Sequence, residues 1–259
     1  MSESQYQLAG RWENSYHSVM DLNVDPLGVI TGSYFSTTGA SGTYPVFGRC
    51  VPQEPTQDKG QALVLSIDWQ ALNAKPSDYN GTWHWVSTYC GQLNDQGELS
   101  LINSLVATVD YDNMAVGDYV DKLGFIRTGA AQPCSLDWQI PQKVIDNPIN
   151  GSWRELGSGI QLKLKVVNSY GWVSGVIVFA EGSAQPFQGF TDTLSLAGVS
   201  YRQSLSLATM NPDGKPFSLS GYLDLQQAQL ILTAWQANGT SIGNAYLQAN
   251  AASLRLTTA

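Results

Sequence analysis

The chain has 259 residues, 43% of them hydrophobic and only 13% charged, with a net charge of −8. Such a composition excludes a disordered chain, and the acidic balance excludes nucleic acid as an expected partner, because phosphates recruit Lys and Arg. No apolar run is long enough to cross a bilayer as a helix, so no membrane partner is expected.

The first residues, Met1-Ser2-Glu3-Ser4-Gln5, lack the basic start and apolar stretch of a secretory signal. The chain therefore reads as cytoplasmic, or as secreted with a signal already removed. Short strand-like segments follow at 10–24, 28–36, 43–49, 62–69, 83–93, 99–108 and 119–127. They make about eight strands if 10–24 holds two. Turn residues separate them, as at Asp25-Pro26, Asn94-Asp95-Gln96-Gly97 and Asp110-Tyr111-Asp112-Asn113. One helical turn is expected within 112–121. Residues 129–150 carry Pro133, Pro141 and Pro148 and read as a linker. Its Leu136, Trp138, Ile140 and Val144 predict that it packs on a barrel. The second half repeats the strand pattern at 151–156, 160–167, 171–180, 185–191, 198–207, 216–224, 228–236 and 243–257. Ile160-Gln161-Leu162-Lys163-Leu164-Lys165-Val166 shows the apolar/polar alternation of a sheet with one buried face.

The two halves also share their punctuation. Gly10-Arg11-Trp12 opens one and Gly151-Ser152-Trp153 the other; glycines follow at 28, 32 and 39, and again at 171, 175 and 182. This period is far above solenoid length and marks a duplicated domain. Short antiparallel strands at regular spacing predict an all-β fold of two eight-stranded up-and-down barrels, over 8–128 and 151–259. An eight-stranded barrel is wide enough to hold one small ligand.

The three cysteines, Cys50, Cys90 and Cys134, show no metal-ligand spacing and read as reduced thiols. Asn80, Asn150 and Asn238 open sequons, which matter only in a secreted protein. No metal and no cofactor is expected. Strand parity places Asn14, Tyr16 and Ser18 on one face, Tyr34, Ser36 and Thr38 on another, Leu65, Ile67 and Trp69 on a third, and Trp83, Trp85, Ser87 and Tyr89 on a fourth. If these faces point inward, the first barrel holds a small polar cluster ringed by aromatic groups, the chemistry of a ligand pocket. His17 and His84 have the opposite parity and read as outward.

Gly10-x-Trp12-x-Asn14-x-x-x-Ser18 resembles the opening strand of the avidins and streptavidins. Thr31-Gly32-Ser33-Tyr34-x-Ser36 with Thr38-Gly39 resembles the next motif and its loop. Tyr44-x-x-x-Gly48-Arg49, Ile67-Asp68-Trp69, His84-x-x-Ser87-Thr88-x-x-Gly91-Gln92 and Ile102-Asn103-Ser104 resemble later strands, in order, across most of 8–127. The resemblance implies a biotin-type pocket. Asn14, Ser18 and Tyr34 would donate to a ureido oxygen, Ser36 would accept from one ureido N–H, Ser87 would lie near the thioether, and Trp69 and Tyr89 would wall the rings. Tyr16, Thr38 and Trp85 complete the expected lining.

The sequence departs from that pattern at several points. The family's acidic or amide residue of the last strand falls near Leu123, with Asp121 one pair away on the same face. The seventh-strand Trp falls near Leu105 or Val106, and the lid Trp near Ala115 or Val116. These losses imply weak binding of biotin or binding of a related cyclic hydrophobic ligand. In the second half Ile177 stands at the Tyr position, while Trp235 and Tyr246 stand near the seventh-strand and lid positions. That suggests a second pocket around Trp235 and Tyr246, or a division of labour in which Tyr246 lids the first barrel. The chain would act as a monomeric pseudo-dimer or as a homodimer.

No Ser/His/Asp triad, phosphate loop or HExxH motif is present, and no catalytic residue is assigned. The catalytic alternative is a barrel repurposed as a metal-free isomerase or cyclase, its Asn14, Ser18 and Tyr34 donors stabilising an enolate-like oxygen.

Overall fold

The computed structural model describes residues 8–37, 41–72, 82–110, 114–141, 144–193 and 200–259, without the side chains of residues 82–84. Sixteen strands form two closed eight-stranded antiparallel barrels. The first comprises β1 (Gly10–Asn14), β2 (Val19–Val24), β3 (Val29–Ser36), β4 (Gly42–Cys50), β5 (Gln61–Gln70), β6 (Thr82–Leu93), β7 (Glu98–Ala107) and β8 (Gly117–Gly129). The second comprises β9 (Gly151–Glu155), β10 (Gln161–Val166), β11 (Trp172–Val178), β12 (Ala184–Thr191), β13 (Arg202–Met210), β14 (Pro216–Asp224), β15 (Gln229–Ala237) and β16 (Ala249–Thr258). Residues 10–24 do hold two strands. The helical turn expected within 112–121 gives way to strand from Gly117 onward.

The repeated punctuation has the same physical cause in both barrels. The indole of Trp12 donates to the Leu8 carbonyl at 2.9 Å, and that of Trp153 donates to the Ile149 carbonyl at 2.9 Å. Each buried N–H is thus satisfied four residues back. The β2–β3 turn closes on Gly28 and its counterpart β10–β11 on Gly171, both at φ +75°, where a side chain is strained. In both turns a side-chain oxygen accepts from the backbone two and four residues on. Asp25 serves Leu27 and Val29, and Asn168 serves Tyr170 and Trp172.

Strand β10 alternates exposed and buried residues along its length, so it has one buried face. Strands β5, β13 and β14 are buried on both faces instead. Their outer faces lie between the barrels, where Phe47, Val64, Val86 and Val106 meet Trp172, Phe190, Ala208 and Trp235. Trp138 of the connecting segment packs into the same cluster, its ring 5.1 Å from Trp172 and 5.2 Å from Phe190. A hydroxyl seam runs through it. Ser206 Oγ lies 2.7 Å from Thr88 Oγ1 and 2.9 Å from Ser66 Oγ, and Ser104 and Ser220 meet at 3.5 Å.

The barrels lie antiparallel. Thr240, in the β15–β16 connection, accepts from Gly60 N through its carbonyl and exchanges two hydrogen bonds with the Gln92 side chain. Gln248 donates to Ser100 Oγ. The β15–β16 connection thus sits at the end of the first barrel that carries its β4–β5 and β6–β7 connections. The β1–β2 and β7–β8 connections lie at the other end.

Candidate functional site

The site is the interior of the first barrel, toward the end carrying the β1–β2, β3–β4, β5–β6 and β7–β8 connections. Parity and pairing bring six elements onto it. Met20 pairs with Tyr34 and Tyr34 with Tyr44; Ile67 pairs with Ser87, and Leu65 with Tyr89. Tyr34, Tyr44 and Tyr89 belong to the same inner core as Trp12 and Met20.

Asn14 ends β1, and its amide is oriented by the turn that follows. Its Oδ1 accepts from Tyr16 N and Ser18 N, each at 3.0 Å. With the oxygen used in the turn, the amide presents N–H₂ to the interior, where Nδ2 donates to the Tyr34 hydroxyl at 3.4 Å. The Tyr89 hydroxyl is also bonded to Tyr34. Burial pushes the Tyr89 phenol well above its ordinary range, and the Tyr34 hydroxyl and Asp121 push it further. The Tyr34 hydroxyl thus joins the Asn14 amide on one side to the Tyr89 hydroxyl on the other.

Trp69 completes one wall. Its Nε1 donates to Ser87 Oγ at 3.0 Å, and its ring lies 5.8 Å from Tyr34 and 4.9 Å from Tyr44. Trp85 is buried with the same parity as Ser87, and its Nε1 bonds the Val109 carbonyl beside the β7–β8 connection. Ser18 and Ser36 are buried. The barrel thus brings together Asn14, Ser18, Tyr34, Ser36, Trp69, Ser87 and Tyr89, with Trp85 at the rim.

Three expected positions fall elsewhere, and a fourth is not described. Thr38 lies outside the described residues. Tyr16 does not share a strand face with Asn14 and Ser18. Residues 15–18 form a turn, and Tyr16 is 53% exposed. Trp235 does not enter the second barrel. Leu230, Leu232 and Ala234 occupy the inner face of β15, so Trp235 points outward into the inter-barrel cluster and donates to Ser220 Oγ. Tyr246 does not cover the first barrel. It is 77% exposed in the 3-10 turn Ile242–Leu247, in a connection docked at the opposite end of that barrel. The second interior is apolar where the first is polar. The counterparts of Tyr34, Ser87 and Tyr89 are Ile177, Phe217 and Leu219, all in its hydrophobic core.

Sequence reasoning missed Tyr44 as a wall residue and Asn103 as an inward acceptor. His17 is exposed, with Nδ1 2.8 Å from Glu13 Oε1, and no catalytic pairing reaches it. A groove of about 580 Å³ beside β1, β7 and β8 is lined by polar Glu13, Ser15, His17, Glu98 and Ser100 together with Gly124 and Ile126. Among the described residues no group of three His, Cys, Asp or Glu side chains is placed to hold a metal ion. All three cysteines are free thiols.

Comparison with known families matches residues 2–119 to the avidin family. No curated protein matches the chain.

Proposed function

We propose that the first barrel, which belongs to the avidin family, binds biotin weakly or a related cyclic carbonyl compound, with the second barrel as its built-in structural partner. One observation carries this reading: the turn uses the Asn14 oxygen, so the buried Asn14 amide faces the interior as a donor beside the Tyr34 hydroxyl. Donors held in a dry, aromatic-walled interior polarise a ligand carbonyl more strongly than they would in water. Trp69, Tyr44 and Tyr89 supply flat apolar walls for a ring.

The test is isothermal calorimetry with biotin on the full chain and on Asn14→Asp. The aspartate keeps both turn hydrogen bonds and replaces the inward donor with an acceptor oxygen. Wild type is expected to bind biotin in the micromolar to millimolar range. Asn14→Asp should remain folded and lose at least about tenfold in affinity, equivalent to about 1.4 kcal/mol. Unchanged affinity in Asn14→Asp, or no binding by wild type at millimolar biotin, would overturn the reading.

The isomerase or cyclase reading is favoured by one further observation. Asp121, solvent-exposed but of inward parity on β8, is a charged neighbour that raises Tyr89, and a carboxylate near a carbonyl-polarising phenol is the arrangement that enolisation needs. Deuterium exchange at the α-carbon of a bound cyclic ketone, lost in Asp121→Asn, would distinguish a catalyst from a binder.

A further inference from the structure

Asn103 stands on β7 directly opposite Tyr89 of β6 and Asp121 of β8. Residues directly opposite in antiparallel strands share a face. Tyr89 belongs to the inner core, as do Leu99 and Leu101 on the same face of β7, while Ile102 packs toward the other barrel. The Asn103 side chain therefore enters the first barrel. Its Oδ1 is buried and accepts no hydrogen bond among the described residues. A buried carbonyl acceptor without a donor destabilises the empty barrel, and a bound N–H removes that penalty.

Its place relative to the donors is set by the same pairing. Tyr34 is bonded to Tyr89 from one side, and Asn103 is the cross-strand neighbour of Tyr89 on the other. A hydroxyl and an unpartnered carbonyl acceptor thus flank one aromatic residue. Leu123, opposite Leu101 and one pair further along β8, offers no acceptor.

We infer that Asn103 is a specificity-determining acceptor of the first barrel, selecting cyclic ligands that carry an N–H beside their carbonyl (lactams, cyclic ureas and imides) over lactones, ketones and N-alkylated amides. This rests on the binding role proposed for the same interior. In this barrel β7 supplies the hydrogen-bond acceptor that β8 lacks at Leu123, and the ring lies across Tyr89 between Tyr34 and Asn103.

The test compares two probes of equal ring size, 2-imidazolidinone and 1,3-dimethyl-2-imidazolidinone, by ligand-observed NMR titration of the full chain. The wild type should prefer the N–H probe by about tenfold or more. Asn103→Leu, which matches its neighbours Leu101 and Leu105, should abolish that preference. Asn103→Asp, which keeps an acceptor, should retain it. Equal binding of the two probes by wild type, or an undiminished preference in Asn103→Leu, overturns the inference while leaving the pocket itself standing. Failure of both probes and of biotin to bind overturns the binding role and the inference together. Should Asn103→Leu not fold, the wild-type probe pair and Asn103→Asp still decide: loss of the preference in Asn103→Asp counts against an acceptor role.

Discussion

Ser206 offers the most direct test of how the two barrels are held together. Its Oγ lies within hydrogen-bond distance of Ser66 Oγ at 2.9 Å, Thr88 Oγ1 at 2.7 Å and the Ser87 carbonyl at 3.1 Å. All four residues are fully buried. Ser206→Ala removes one oxygen but strands two hydroxyls, those of Ser66 and Thr88, in a site water does not reach. A stranded buried hydroxyl costs about 1–3 kcal/mol, so after partial relaxation the substitution should cost about 2–4 kcal/mol. For a chain of this length that is a fall in melting temperature of roughly 5–15 °C. The triple variant Ser66→Ala/Thr88→Val/Ser206→Ala removes the polar groups together and leaves no stranded partner. It should therefore be less destabilised than Ser206→Ala alone, by about 1–2 kcal/mol. Urea denaturation at matched m-values, checked by calorimetry, gives both quantities. A cost below about 0.5 kcal/mol for the single variant, or a triple variant that equals the sum of its parts, would refute the idea that these hydroxyls act as one buried network.

Three other expectations follow from the same geometry. Burial, and next the neighbouring Asp192, hold the Asp68 carboxyl well above the ordinary aspartate range. Its contribution to stability is therefore complete below about pH 4 and is lost as pH rises through the folded-state value. Asp68→Asn should gain on wild type more at pH 7 than at pH 4, and an equal difference in urea midpoint at both pH values would count against it. Burial lifts the Cys50 and Cys90 thiols to about 12, whereas Cys134 is only partly buried. A thiol reagent at pH 8 should thus titrate one cysteine in the native chain and three in denaturant, and rapid reaction of all three without denaturant would contradict this burial. Trp138, packed on Trp172 and Phe190 and held by Asn168 Nδ2 donating to its carbonyl at 2.6 Å, should cost about 3–5 kcal/mol when cut to alanine. A loss under 1 kcal/mol by urea denaturation would mean that the connecting segment merely lies on the surface.

Barrel architecture was legible in the sequence because its physical causes are local. A period of two fixes the faces, and a tight turn demands glycine at positions such as 28 and 171 whatever the neighbouring strands contain. The inner face of the first barrel was legible for the same reason, since Tyr34, Trp69, Ser87 and Tyr89 all sit within unbroken strands. Tyr16 was misplaced because parity holds only while a strand continues. The turn at 15–18 resets the phase, and Asn14 followed by Ser15 was the available signal. Trp235 was misplaced for a different reason. Strand β15 carries apolar residues on both faces, and alternation alone does not say which is inside. The wider signal was the run of small and apolar residues on both faces of β13 and β14, which marks a sheet covered on both sides. The role considered for Tyr246 failed because it depended on how one barrel sits on the other, and no local pattern encodes that. The antiparallel arrangement also separates two kinds of buried polar group. Ser206 and Ser220 of the second barrel face the seam and find partners there. Asn14, Tyr34, Ser87 and Asn103 lie inside the first barrel, where barrel pairing gives them nothing. Closing a barrel does not require polar groups at the positions of Tyr34, Ser87 and Tyr89, where the second has Ile177, Phe217 and Leu219. The polar interior of the first barrel is therefore not a requirement of the fold, and the ligand proposed for it would supply a physical reason.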